Sequence, residues 1–261
     1  MRLKDKFKQL KKENRGAFIA YVPFGFPNPS ATKNICLSLE RGGADVIELG
    51  IPFSDPLADG PIIQAATTKA LANGANIDKF FSCLGSLDKV LTIPVAVMTY
   101  YNPIFKFGIS QFFKQLKKYK VSAVLVVDLP LEESDEYLKQ ARKYDIDTIF
   151  FITPTTDKER IKRIVRSTKG FIYYISITGI TGPKDIAYGA ITKQIKGIKK
   201  LSNLPVCVGF GIHSAKQVAE VNKFSDGAIV GSSIVKFIEG NYDKKDFLRR
   251  LERYTASLCM K

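Results

Sequence analysis

The chain of 261 residues has no tryptophan and a single histidine, His213. One histidine cannot build a multi-histidine metal set or a histidine-based acid/base pair, so proton transfer here falls to carboxylates and tyrosines. His213 follows Gly209-Phe-Gly-Ile212 at an expected helix start, where it reads as an ordinary exposed polar residue. Cys36, Cys83, Cys207 and Cys259 are scattered with no CxxC pair, which points to reduced thiols rather than disulfides or a metal site. No other cluster has metal-ligand spacing, and no lysine ends a strand-like run where it could form a Schiff base. Apolar runs of the roughly 20 residues that a membrane span needs are missing, and so is a secretory h-region near the start, so a cytoplasmic chain with no membrane contact is expected. Acidic residues are also in short supply, 25 against 40 Lys and Arg, for a net charge of +15. The excess is spread over amphipathic stretches such as Phe112–Tyr119 and Lys158–Val165, as solvated helix faces are, so no nucleic-acid partner is expected.

What the chain does have is regular alternation. Eight short apolar runs are separated by amphipathic stretches: Ala17–Val22, Ala44–Gly50, Pro94–Thr99, Ala123–Asp128, Thr148–Ile152, Phe171–Ser176, Pro205–Gly209 and Gly227–Gly231. Strands alternating with helices make a parallel sheet, and eight units predict an α/β fold, a closed (β/α)8 TIM barrel forming a single domain over residues 1–261. An open doubly wound sheet usually carries G-x-G-x-x-G after its first strand, where this chain has Val22-Pro-Phe-Gly-Phe-Pro27. Leu3, Phe7 and Leu10 within the basic Lys4–Lys12 segment predict an extra N-terminal helix docked by its apolar side. Helices are expected over Ser30–Arg41 and Ser134–Tyr144, each opened by a capping serine, and an additional one within Leu71–Lys89. The Gly- and Thr-rich stretch Ile177–Thr192, after the sixth strand, reads as a long lid loop, with a tolerated surface insertion as the alternative.

The stretch Val46-Ile-Glu-Leu-Gly-Ile-Pro-Phe-Ser-Asp-Pro-Leu-Ala-Asp-Gly-Pro61 carries the strongest chemical signal. It places Glu48 on a strand buried on both faces, where a carboxylate is costly unless it is paired, neutralised or used. Asp55 and Asp59 follow on the loop at that strand's C-terminal end, where barrels keep their active sites. Polar residues at the other strand ends include Thr99, Tyr100, Asn102, Asp128, Tyr173, Ser176, Thr181 and Ser232. Glycine pairs Gly209/Gly211 and Gly231 before Ser232-Ser233 fall on the last two strands, where barrels often hold a substrate phosphate at a helix N-terminus; Gly182 offers another donor, and tight turns are the competing reason for such glycines. Tyr21, Met98, Leu125, Phe151 and Phe210 form either an apolar wall for a flat ring or plain barrel core.

Glu48 to Pro61 resembles the signature of the tryptophan synthase alpha subunit family, with support from Met98–Pro103, Asp128–Ser134, Tyr173–Gly182 and Gly209–Ile212 in the family's order. One departure is Gly25-Phe-Pro-Asn-Pro29, which lacks the Asp of the family's Gly-Asp-Pro turn. The resemblance implies a barrel that cleaves indole-3-glycerol phosphate to indole and glyceraldehyde 3-phosphate. It implies Glu48 and Asp59 as the catalytic pair with Tyr173 beside the reacting carbons, Tyr21, Met98, Thr181 and Phe210 around the substrate, and Gly182, Gly211, Gly231 and Ser232 at the phosphate. It further implies a beta-subunit partner in an alpha2-beta2 heterotetramer, contacted near Pro52, Asp55, Pro56, Asn102 and Pro130, with no cofactor in this chain and PLP in the partner. Two rival readings are another phosphate-binding barrel isomerase or epimerase, and an inactive scaffold that only activates a beta partner.

Overall fold

Alternation along each apolar run decides which side chains enter the barrel and which meet the helices. In the computed structural model, which describes residues 1–176, 188–209 and 211–259, the strands are β1 (Ala17–Pro23), β2 (Val46–Gly50), β3 (Val95–Thr99), β4 (Ala123–Val126), β5 (Asp147–Ile149), β6 (Phe151–Ile152), β7 (Ile172–Ile175), β8 (Val206–Gly209) and β9 (Gly227–Val230). All pair in parallel, in the order β5-β4-β3-β2-β1-β9-β8-β7-β6. Only Phe150 separates β5 from β6, so one segment of chain pairs with β4 through its first half and with β7 through its second. That segment closes the ring. The single strand expected over Thr148–Ile152 is therefore broken at Phe150, whose carbonyl still accepts from Tyr173 N–H at 3.1 Å. The architecture is the expected (β/α)8 barrel.

The helices are α1 (Leu3–Lys12), α2 (Thr32–Arg41), α3 (Pro61–Ala72), α4 (Ile77–Leu87), α5 (Tyr101–Phe107), α6 (Ile109–Lys118), α7 (Asp135–Tyr144), α8 (Lys158–Ser167), α9 (Tyr188–Leu201), α10 (Ala215–Asn222), α11 (Ser232–Glu239) and α12 (Phe247–Cys259). No helix among the described residues is long and apolar enough to cross a membrane. Outward side chains such as Phe18, Ile47, Leu49, Val97, Val124 and Tyr174 join the helix faces in one core, while Ala17, Ile19, Val46, Ala96, Leu125, Phe171, Cys207 and Ile229 fill the interior. The apolar side of α1, Leu3, Phe7 and Leu10, belongs to that interior cluster and plugs the N-terminal end of the barrel. The C-terminal mouth is left for chemistry.

Several local expectations change. Ser30 lies in a 3-10 turn, Pro29–Ala31, whose cap is Asn28: its side chain accepts from Ala31 N–H at 3.0 Å. α2 then starts at Thr32 with no side-chain cap. Ser134 does occupy the cap position of α7, but its hydroxyl turns back to the Leu131 carbonyl, 2.7 Å away, instead of capping. The additional helix expected within Leu71–Lys89 is α4, and the regular one before it, α3, starts at Pro61, which suits a first helical turn. α9 begins at Tyr188, inside the stretch read as a loop, and residues 177–187 lie outside the described residues. In the departing turn Gly25 has φ 86°, donates its N–H to Thr32 Oγ1 at 3.1 Å, and leaves no room for a Cβ against Ala75.

Candidate active site

Val46 points into the barrel while Ile47 and Leu49 point out to the helices, so the two-residue period of β2 turns Glu48 inward. Its side chain is 1% exposed, and neither carboxyl oxygen has a hydrogen-bond partner among the described residues. Burial, and next the nearby charge of Asp59, push its pKa up to about 8. At neutral pH Glu48 is a proton donor. Asp59 sits half-buried on the loop that leaves β2, which is turned by Asp59 N–H donating to the Pro56 carbonyl at 3.0 Å and tied to α3 by Gln64, whose amide donates to the Asp59 carbonyl at 2.9 Å. Burial raises the Asp59 pKa to about 6, against a hydrogen bond from the Tyr100 hydroxyl that lowers it. Asp59 is mostly ionised at pH 7, so the loop aspartate is drier than its sequence setting suggests and still carries its charge.

Two tyrosines complete the group. Tyr21 on β1 is buried and Tyr173 on β7 half-buried; desolvation first raises both pKa values, and each also feels the charges of both Glu48 and Asp59. Glycines at two strand ends admit their rings: a Cβ on Gly50 would come within 2.6 Å of the Tyr21 hydroxyl, and one on Gly209 would collide with the hydroxyl of Tyr173. Gly209 therefore makes space for Tyr173, a role distinct from phosphate binding. Met98, half-buried on β3 beside Gly50 in register, packs with Tyr173 and Phe151 against the interior cluster. Glu48, Asp59, Tyr173, Tyr21 and Met98 are thus gathered at one end of the barrel.

Gly231 is the N-cap of α11 and Ser232 its first residue. A Cβ on Gly231 would lie 3.1 Å from the Tyr21 ring, so this helix start borders the carboxylate group through Tyr21. The hydroxyl of Ser233, in the first turn of α11, is buried with no hydrogen-bond partner among the described residues, an unused donor beside free helix N–H groups. Ser233 was not among the expected site residues; its place after a strand-end glycine was the available signal. Gly211 adopts φ 74°, and its carbonyl lies 2.7 Å from Nδ1 of the exposed His213. Thr181, Gly182 and Phe210 lie outside the described residues. The expected partner face has Asp55 and Pro130 exposed and Pro56 and Asn102 half-buried, whereas Pro52 is buried and offers no open surface of its own. Leu57, 90% exposed on the loop after β2, and Phe105, 66% exposed on α5 with Asn102, add the apolar area that a docking face needs; a leucine among turn residues was the overlooked sign for the first.

A dry glutamic acid, a charged aspartate, two tyrosines and an anion-ready helix start stand together at one end of the barrel. Comparison with known proteins gives a matching picture. The family model described as tryptophan synthase alpha chain matches residues 7–259. The tryptophan synthase alpha chain of Methanocaldococcus jannaschii is 42% identical over 255 residues, covering 97% of this chain and 90% of that protein. The tryptophan synthase alpha chain of Bacillus pumilus is 44% identical over 248 residues, with 92% of each covered. Among solved structures, tryptophan synthase subunit alpha from Legionella pneumophila superposes with a TM-score of 0.92 at 34% identity, covering 99% of this chain and 97% of that one. The chain belongs to the tryptophan synthase alpha chain family.

Proposed function

We propose that this chain is the lyase of tryptophan biosynthesis that splits indole-3-glycerol phosphate into indole and glyceraldehyde 3-phosphate, breaking a carbon–carbon bond by retro-aldol cleavage. The observation that carries the reading is Glu48: a buried carboxyl with both oxygens unpartnered, protonated at neutral pH, beside an aspartate that stays ionised. In this scheme Glu48 gives its proton to indole C3. Positive charge then develops on the ring nitrogen, and Asp59 stabilises it by accepting the N–H hydrogen bond. Glu48, now a carboxylate, removes the proton of the side-chain hydroxyl; the bond from C3 to that carbon breaks, its electrons return to the ring, and the aldehyde forms. Tyr173 and Tyr21 exclude water around the reacting carbons. The α11 start, with Gly231, Ser232 and the spare Ser233 hydroxyl, receives the phosphate, with Gly211 nearby and Gly182 from the adjoining stretch.

The chain supplies this chemistry without a cofactor of its own. A beta subunit carrying PLP would consume the indole, docking on the face that holds Asp55, Pro56, Leu57, Asn102, Phe105 and Pro130 in an alpha2-beta2 assembly. The cytoplasm is the compartment consistent with such a pathway. The test is indole release from indole-3-glycerol phosphate, measured with and without beta subunit. Glu48→Gln is expected to abolish release, because an amide cannot protonate carbon and then accept from oxygen. A Glu48→Gln enzyme retaining most of the wild-type rate overturns the assignment, and equal wild-type rates with and without partner overturn the coupling.

A further inference from the structure

Tyr100 follows the last residue of β3, and its hydroxyl reaches across to the loop that carries Asp59. It donates to Asp59 Oδ2 at 3.2 Å and accepts from the N–H of Ala58 at 3.0 Å, while its ring packs on Phe53 with centroids 5.3 Å apart. Gln64 grips the same loop, but only through the carbonyls of Asp59 and Pro56. Among the described residues, Tyr100 is the one group hydrogen-bonded to the Asp59 carboxylate. We propose that Tyr100 is a positioning residue for the cleavage: its hydroxyl pins one carboxylate oxygen of Asp59 and leaves the other, Oδ1, free to accept the substrate's N–H. The proposal rests on the catalytic assignment of Asp59 above.

The surroundings make this hydrogen bond matter. Asp59 shares its electrostatic environment with Glu48 from β2, Tyr21 from β1, Tyr173 from β7 and Tyr100 itself. Asp128 stands behind Tyr100 and accepts from Tyr101 N–H at 2.7 Å. None of these groups is a cation. Burial pushes the Asp59 pKa upward, and the donor that opposes it is the Tyr100 hydroxyl. A hydrogen bond offered to the ionised form favours that form, so Tyr100 keeps Asp59 charged as well as aimed.

Tyr100→Phe removes one oxygen and keeps the ring against Phe53. Two measurements read its effect. The first is the carboxyl carbon-13 titration of Asp59 in the ligand-free chain, whose midpoint is expected to rise by about one pH unit, the size of shift a hydrogen bond to a charged group commonly gives. The second is kcat/KM against pH in the assembly with beta subunit. There the rising limb is expected to move up by a similar amount while the falling limb, set by Glu48, stays; the loss should be about fivefold greater at pH 6 than at pH 8. The substrate's phosphate also titrates near pH 6, but identically for both enzymes, so the displacement belongs to the protein. An unmoved Asp59 midpoint overturns the proposal, and so does a loss of kcat/KM equal at every pH, which is what damage to the loop alone produces. Asp59→Asn separates the two levels of argument. Full turnover in that variant would remove Asp59 from the chemistry, while the carbon-13 shift would still report whether Tyr100 governs its ionisation.

Discussion

Glu48→Gln is expected to make the protein more stable as it makes it inactive, and the gain should grow with pH. The wild-type carboxyl has a folded-state pKa of about 8 against 4.5 in the reference state. Between those values the unfolded chain releases the proton and the folded chain keeps it. Stability contributed by neutral Glu48 is therefore fully present below about pH 4.5, declines as pH rises, and levels off above about pH 8. Glutamine fills nearly the same volume and has no such dependence. Each pH unit across the window is worth at most about 1.4 kcal/mol. Hydration of the opened mouth and relaxation around the charge reduce this, so a widening of about 2–4 kcal/mol between pH 5 and pH 9 is the expected size. Urea unfolding of both proteins at the two pH values measures it, and contributions from other groups, including Asp59, largely cancel in the difference. A stability gap that does not change with pH would mean that Glu48 ionises as freely in the folded chain as in the unfolded one. Glu48 would then hold no proton in reserve for indole C3.

Three further substitutions probe the remaining parts of the site. Asp59→Asn keeps the shape and removes the carboxylate charge, so kcat in steady-state indole formation should fall by roughly 10²-fold or more while the unfolding midpoint at neutral pH holds or rises. Gly50→Ala forces a methyl against the Tyr21 hydroxyl, where a Cβ would stand at 2.6 Å; thermal unfolding should show a loss of about 1–3 kcal/mol, and turnover should drop with it, whereas an unchanged melting point would show that Tyr21 swings away freely. Ser233→Ala deletes a buried hydroxyl with no hydrogen-bond partner among the described residues. It should leave stability level or slightly raised while raising KM for the phosphate substrate severalfold, and an unchanged KM would take Ser233 out of the phosphate site.

Much of the barrel was legible because two-residue alternation is a local property. Ile47 and Leu49 declare the helix-facing side of β2, and Glu48 is then inside by parity alone. The parts that were not legible depend on which distant groups meet. Thr148–Ile152 reads as one strand, yet its halves pair with different neighbours and the ladder breaks at Phe150. Ser30 and Ser134 have the right chemistry for helix caps, but the local competition goes to Asn28 in one case and to the Leu131 carbonyl in the other. Gly209 has the sequence setting of an anion-binding glycine, but the ring of Tyr173, from the neighbouring strand, needs its space. Tyr100 stands among the strand-end polar residues and inside the Met98–Pro103 stretch, but its partner was not legible, because the contact spans 41 residues of sequence.

The two carboxylates also suit the proposed reaction, in which one residue serves as acid and then as base. Chemically similar groups acquire different resting states because Glu48 is fully enclosed with no donor, while Asp59 is partly open and held by Tyr100. Once Glu48 has delivered its proton, two negative charges share a dry pocket that lacks a neighbouring cation among the groups acting on either carboxyl. In the proposed reaction that unfavourable arrangement would be relieved in two ways: by the positive charge forming on the indole ring, and by Glu48 regaining a proton from the substrate's hydroxyl. Burial first, and next the repulsion from Asp59, hold Glu48 protonated at rest, and in the proposed reaction the same two effects make it basic after the first step. A lysine or arginine placed beside the pair would stabilise the fold and stop the cycle, because Glu48 would then rest ionised with no proton to give.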